Sequence, residues 1–311
     1  MTAPPDPADF AGSMTTPPDA DVPGHAPAGG DAREAAAGGA RAAGWDRFAA
    51  SLVGRWEAFA TVAPCASVEP VGEATAAIFP ASPTRAIFNN ALLAPGAADP
   101  AATLLALRRA YARAGVARFA LWLAADDRAA LDACAAAGWR TADTTVAMIA
   151  ALPAPAPDAA APTPAPDSAP APDAAALTPA PDSAPTPDAA TPRIEEVATT
   201  AEICALNEVA ADLLPSWPER TRAYLARDDG GRALSAAVAM RHGDDCALGF
   251  VATLPQARRR GIAGRVVARL LADAAADGCT TATLASTAAA ERLYRAFGFR
   301  EIGGMVIVQP L

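Results

Sequence analysis

A thirteen-residue run, Thr163 to Ala175, recurs with a single change from Thr178 to Ala190, and the stretch from 153 to 192 is almost entirely Ala, Pro, Asp, Ser and Thr. Leu177 is its one large apolar residue. Such a tract cannot bury enough apolar surface to offset the entropy of ordering it, and its prolines break helices and strand ladders. It is expected to be an extended, semi-rigid linker, rising about 3.1 Å per residue where the polyproline conformation holds. Residues 1–44 are rich in Ala, Pro, Gly and Asp, without apolar periodicity and without the basic start and apolar segment of a secretory signal. They are expected to be a disordered tail. Two segments of domain size remain, 45–152 and 193–311.

Composition then removes several classes of chemistry. All 25 basic residues are arginine, so the lysine of a nucleotide P-loop and lysine Schiff-base chemistry are both absent. The formal net charge of −9 argues against a nucleic-acid partner. Cys65, Cys134, Cys204, Cys246 and Cys279 are scattered, with no C-x-x-C pair. That pattern suits a reducing cytoplasm and gives no metal-ligand spacing. Alanine accounts for much of the apolar content and no apolar run reaches eighteen residues, so no membrane partner is expected.

The most informative local pattern lies at residues 255–265, Pro-Gln-Ala-Arg258-Arg259-Arg260-Gly261-Ile262-Ala263-Gly264-Arg265. Before it, Ala247 to Leu254 reads as a buried strand; after it, Val266, Val267, Leu270 and Leu271 recur at helical spacing. The order is strand, glycine loop, helix. The first N–H groups of such a helix have no intrahelical partner and lie at the positive end of its dipole, where an anion binds. Glycines let a ligand approach the backbone, and arginines add charge-assisted hydrogen bonds. The bland alternative is a solvated arginine cluster.

Arg258-x-x-Gly261-x-Ala263 resembles the R/Q-x-x-G-x-G/A pyrophosphate loop of the GNAT superfamily of N-acetyltransferases. Farther on, Thr287, Ala290, Leu293, Tyr294, Gly298 and Phe299 follow that family's closing pattern N-x-x-A-x-x-L-Y-x-x-x-G-F, with Thr287 where the family usually has Asn. The resemblance spans about residues 193 to 311. It implies an α/β (α+β) fold with a mixed, mostly antiparallel central sheet flanked by helices. It also implies acetyl-CoA as co-substrate, no metal, and transfer of an acetyl group to a primary amine of a small molecule or peptide by direct attack in a ternary complex. In residue terms, Val251, Ala252 and Thr253 are expected to meet the pantetheine arm. Arg258, Arg259, Arg260, Gly261, Ile262, Ala263 and Gly264 are expected to cradle the pyrophosphate, with Thr287 beside the cofactor, and Tyr294 to protonate the departing thiolate.

The first segment repeats the frame. Cys134-Ala135-Ala136-Ala137-Gly138-Trp139-Arg140 aligns with Tyr294-Arg295-Ala296-Phe297-Gly298-Phe299-Arg300, and the closing runs Thr145 to Ala150 and Gly304 to Val308 then coincide. Upstream, a helix from Ala101 to Ala114, Gly115 and the strand-like run Ala117 to Leu123 match the second segment's order. Two similar domains joined by the Pro/Ala-rich linker are therefore expected, the first a degenerate GNAT-like copy. Its loop reads Leu93-Ala94-Pro95-Gly96-Ala97-Ala98-Asp99-Pro100, with no arginine and an added acid, and Cys134 falls where Tyr294 stands in the second. An unrelated α/β domain is the competing reading.

In the second segment a helix is expected over Thr199 to Leu214, a short helix over Glu219 to Arg222, and hairpin turns at Asp228–Gly231 and His242–Asp245. The segment supplies one closing strand where the family has a pair, so a strand from the first half or from a second subunit (a homodimer) is expected to cover that edge. The general base stays open among His242, Asp244, Asp245 and Glu219. A non-catalytic acyl-CoA-binding or partner-binding regulatory module stays open beside the transferase.

Overall fold

A computed structural model describes residues 30–153, 191–209 and 214–310. Residues 1–29 of the expected tail and 154–190 of the expected linker lie outside the described residues. The chain divides at Gly39: the described part of Met1–Gly39 is the start of a helix, and Ala40–Leu311 is one compact unit.

That helix, α1 (Gly30–Val62), begins inside the stretch expected to be tail. Alanine favours helix without any amphipathic pattern, which is why periodicity alone misplaced its start. Farther on Phe48, Leu52, Trp56 and Phe59 recur every three or four residues and are buried. Pro64 ends the helix by excluding helical backbone from the residue before it. The first half continues with β1 (Ser67–Val71), β2 (Ala74–Ile78), β3 (Asn90–Leu93), α2 (Pro100–Arg113), β4 (Ala120–Ala124), α3 (Arg128–Ala136) and β5 (Trp139–Ala151). The second comprises β6 (Arg193–Glu196), α4 (Ala201–Leu206), β7 (Thr221–Arg227), β8 (Ala233–His242), β9 (Asp245–Thr253), α5 (Ile262–Ala276), β10 (Thr281–Ser286), α6 (Glu291–Arg295) and β11 (Arg300–Pro310).

Eleven strands form one sheet in the order β1-β2-β3-β4-β11-β5-β10-β9-β8-β7-β6. It is mixed and mostly antiparallel, as expected, with helices packed against it. The parallel pairs are β3 with β4 and β9 with β10; α2 and α5 are the crossovers such pairs require. From β1 and from β7 onward the halves thus repeat one strand and helix order. They also trade their last strands: β5 pairs with β10 of the second half, and β11 with β4 of the first. Between them β5 and β11 pair antiparallel from Trp139↔Pro310 to Ile149↔Arg300. The edge left open by the single closing strand is covered from within the same chain, and the halves share a sheet where two linked domains were expected.

Two local expectations differ from the structure. The helix expected over 199–214 is only α4, six residues long. Glu208 at φ +56° turns the chain out of it, and residues 210–213 lie outside the described ones. The short helix expected at Glu219 to Arg222 is instead the entry to β7, because Arg220 at φ +60° reverses the backbone just before Thr221.

The core of the second half has two layers. On one face of the sheet Ile262, Val266, Val267, Leu270 and Leu271 of α5 pack with Tyr294, Phe297 and Phe299. Each such side chain contributes about 2 kcal/mol on burial. On the other face lies α1, its aromatic stripe packed against Ile203, Leu225, Val238 and Met305. A polar clamp joins α1 to that sheet. Asp245, 1% exposed, accepts from the hydroxyls of Ser51 at 2.6 Å, Thr283 at 2.6 Å and Thr281 at 2.5 Å. Asp245→Ala would strip the acceptor from three hydroxyls at once. Urea unfolding should register a loss of about 2–4 kcal/mol, against about 1 kcal/mol for a single ordinary hydrogen bond.

Candidate active site

β9 and β10 run side by side only from Asp245↔Thr281 to Ala247↔Thr283 and then part. Beyond Ala247, β9 stays paired to β8 alone, and that pairing carries an irregularity: Ala236 and Val238 face Ala252 and Gly249, two residues against one. This is a β-bulge, and Phe250 within it has φ +52°. A bulky residue held at positive φ costs about 1–3 kcal/mol and persists only where its surroundings impose it. Here the Asn207 side-chain amide donates to the Phe250 carbonyl at 3.2 Å, and the Phe250 ring meets Phe59 and Trp217 edge-on at 5.8 and 5.9 Å.

The end of β9 is tied down from β8. The Ser235 hydroxyl lies 2.8 Å from both the Ala252 carbonyl and the Thr253 hydroxyl. A short 3-10 turn, Pro255–Ala257, leads into the arginines, and Arg258 Nε donates back to the Thr253 carbonyl at 3.1 Å. Arg258, Arg259 and Arg260 are exposed. Gly261 precedes α5 at φ +72°, and a Cβ placed on it would meet nothing within 4 Å. Among the described residues no side chain caps the first turn, so its N–H groups face an open, positively charged surface. Those features fit a pyrophosphate. Ile262 is buried and Ala263 partly so; Gly264 faces α6, where a Cβ would lie 3.6 Å from Leu293 and 3.9 Å from Phe297.

That contact sets α6 beside the loop. Tyr294, 6% exposed, shares a core with Ala257, Ile262, Val251 and Leu254, and its ring meets Phe299 edge-on at 5.8 Å. Burial raises its phenol to about 12. Thr287 is exposed just past β10, its carbonyl accepting from the Ser286 hydroxyl and the Ala290 amide. The structure therefore brings Val251, the loop and Tyr294 to one place, at the parting of two strands.

The candidates for general base are elsewhere. His242 and Asp245 pair across the turn at the opposite end of β9 from Thr253, eight residues and about 26 Å away. The His242 ring lies against Gly54 of α1. Asp244 is held by Arg47 and Thr280, and Glu219 precedes Thr221, which pairs with Met240 at that same end of the sheet. Burial raises the thiols of Cys134, Cys204, Cys246 and Cys279, which keeps them protonated and unreactive. Among the described residues no His, Cys, Asp and Glu group is arranged to hold a metal, and no helix is long and apolar enough to cross a membrane.

The matching loop of the first half is filled by the chain itself. The Glu73 carboxylate accepts from the amides of Ala98 and Asp99, both at 2.7 Å, and Asp127 accepts from Gly96 at 3.0 Å. Asp99 caps α2 through the Ala102 amide. Those backbone donors already hold anions.

Residues 219–301 match a family model described as an acetyltransferase (GNAT) domain. No curated protein matches the sequence. Among solved structures, a GCN5-related N-acetyltransferase from Kribbella flavida is 17% identical with a TM-score of 0.56, covering 84% of this chain and 95% of its own. That likeness is one of fold, and it runs through both halves. A GCN5-related N-acetyltransferase from Sphaerobacter thermophilus is 15% identical with a TM-score of 0.46, covering 76% of this chain and 80% of its own. The glycine loop and the parted strands lie within residues 219–301, the stretch that matches the GNAT acetyltransferase domain.

Proposed function

We propose that the protein transfers an acetyl group from acetyl-CoA to a primary amine of a small molecule or peptide, by direct attack in a ternary complex. The observation that carries this reading is the parting of β9 from β10 immediately ahead of an uncapped, arginine-lined helix N-terminus, with a buried phenol in the same core. Acetyl-CoA supplies the activated acyl group as a thioester. Arg258, Arg259 and Arg260 with the amides from Gly261 to Gly264 hold its phosphates. Backbone groups at Val251 to Thr253, freed from strand pairing on one side, hold the pantetheine arm, and an N–H there stabilises negative charge on the thioester oxygen. Tyr294 donates its proton to the leaving sulfur. The acceptor amine loses its own proton to solvent, since the four candidate bases lie at the other end of the strands. The buried free cysteines support a reducing, cytoplasmic setting.

One observation favours a second reading, a non-catalytic acyl-CoA-binding module: Thr287 replaces the asparagine usual in the family. Release of free thiol from acetyl-CoA across a library of amines separates the two. Under the second reading no amine accelerates it.

The first half is best read as a degenerate copy whose loop is closed to CoA by Glu73 and Asp127. Calorimetry on the full chain should therefore give one CoA per molecule. Glu73→Gln should leave that stoichiometry and affinity unchanged, and a stoichiometry of two would refute this account.

A further inference from the structure

We propose that Arg55 binds a carboxylate carried by the acceptor, so that the amine acetylated belongs to an amino acid or a similar small amino-carboxylate; the identification of an acceptor rests on the acetyltransferase reading above. Arg55 lies on the sheet-facing side of α1, three residues from Leu52 and four from Phe59, both buried. It lines a small cavity at the point where β9 and β10 part, walled by Phe48 and Leu52 of α1, Leu248 of β9, and Leu284 and Ala285 of β10. There Nη1 donates to the Leu248 carbonyl at 3.2 Å. Gly249 makes room for it, because a Cβ at that position would stand 2.8 Å from the same nitrogen.

Among the described residues the guanidinium has no counter-charge. Arg222 on the same sheet holds Glu196 and Asp277, and Arg227 holds Glu195 and Glu202. Arg55 has one backbone carbonyl for five N–H donors, and no described carboxylate reaches it. Burial without compensation pushes its pKa down to about 10. A cation in apolar surroundings gains most from an anion that arrives with good geometry, and a planar guanidinium matches a carboxylate in two parallel hydrogen bonds.

Position sets the size of the ligand. Leu248 is two to three residues from the bulge at Phe250 and Val251, about 7–10 Å along the strand. The hydrogen bond from Arg55 to a carboxylate takes up about 3 Å of that span, and the several ångströms left between carboxylate and amine are within the length of a small amino-carboxylate. The helix that carries Arg55 opens the first half, so the amino-terminal part of the chain enters the site of the second.

The test uses the full-length chain and Arg55→Gln, which keeps an N–H donor for Leu248 and removes the charge. With CoA saturating, N-acetyl derivatives of the twenty standard amino acids and their carboxamides are titrated calorimetrically. The wild type should bind at least one acid about 10-fold or more tighter than its amide; Arg55→Gln should erase the difference with CoA affinity unchanged. In turnover, kcat/KM for the matching amino acid should fall about 100-fold in Arg55→Gln, while its decarboxylated amine is affected less than about 3-fold. Equal losses for both would make Arg55 a support for β9 and overturn the proposal. Absence of any acid-over-amide preference in the wild type would overturn it too. If no amine is acetylated, the transferase reading fails by thiol release, and the titration still decides the role of Arg55.

Discussion

Tyr294→Phe should lower single-turnover thiol release by about 100-fold or more, with CoA affinity and melting temperature nearly unchanged. Phenylalanine keeps the ring, its edge contact with Phe299 and its place in the core beside Ile262 and Val266. Only the hydroxyl is lost, and among the described residues no group hydrogen-bonds it, so its removal orphans no partner. A packing role predicts the reverse, a normal rate. The pH profile gives a second handle. Burial lifts the phenol from 10 to about 12, so the donor form persists through neutral pH and is lost only as pH climbs toward 12. An alkaline fall in rate centred below about 10 would have to come from another group. The same shift makes a linked contribution to stability, fully present below pH 10 and lost between there and about 12.

Gly261→Asp should abolish measurable CoA binding in a protein that still folds. At φ +72° a side chain is strained but not obstructed, since nothing lies within 4 Å of the added Cβ, and the cost of folding is about 1 kcal/mol. The binding penalty is larger. A carboxylate would stand at the helix N-terminus where the pyrophosphate must sit, setting like charges a few ångströms apart in the place where Arg258 to Arg260 otherwise favour an anion. It would imitate what Glu73 and Asp127 already do in the first half. Calorimetry measures the loss and a thermal melt confirms the fold; undiminished affinity in the folded variant would move the site away from this loop.

What the sequence disclosed was local. The strand, glycine loop and helix at 247–276, the short helix carrying Tyr294 and the two closing runs could be read because each depends on neighbours within a few residues. The need for a borrowed strand followed from a missing one. Phe250 was hidden, since nothing in Gly-Phe-Val-Ala announces a left-handed aromatic; its conformation comes from Asn207, Phe59 and Trp217, all distant in sequence. Glu73 was hidden for the same reason, lying about 25 residues from the amides it fills. Arg55 did leave a trace, a charge set on the apolar stripe of a helix, but the opening it faces is assembled from β9 and β10 almost two hundred residues away. The general base could not be located because register, which the sequence does not state, sets His242 and the loop at opposite ends of one strand.

The traded strands give the first half a reason to persist whether or not it ever meets a ligand. Taken alone, residues 193–311 would present the flank of β10 to water as a bare ladder, and residues 40–152 would do the same with β4. Each half is the other's missing hydrogen-bond partner, in the manner of a swapped dimer whose two copies have been spliced into one gene product. Substitutions in the loop of one half therefore leave the shared sheet intact while those in its last strand do not, so the halves are free to differ in their loops and bound to stay alike in architecture.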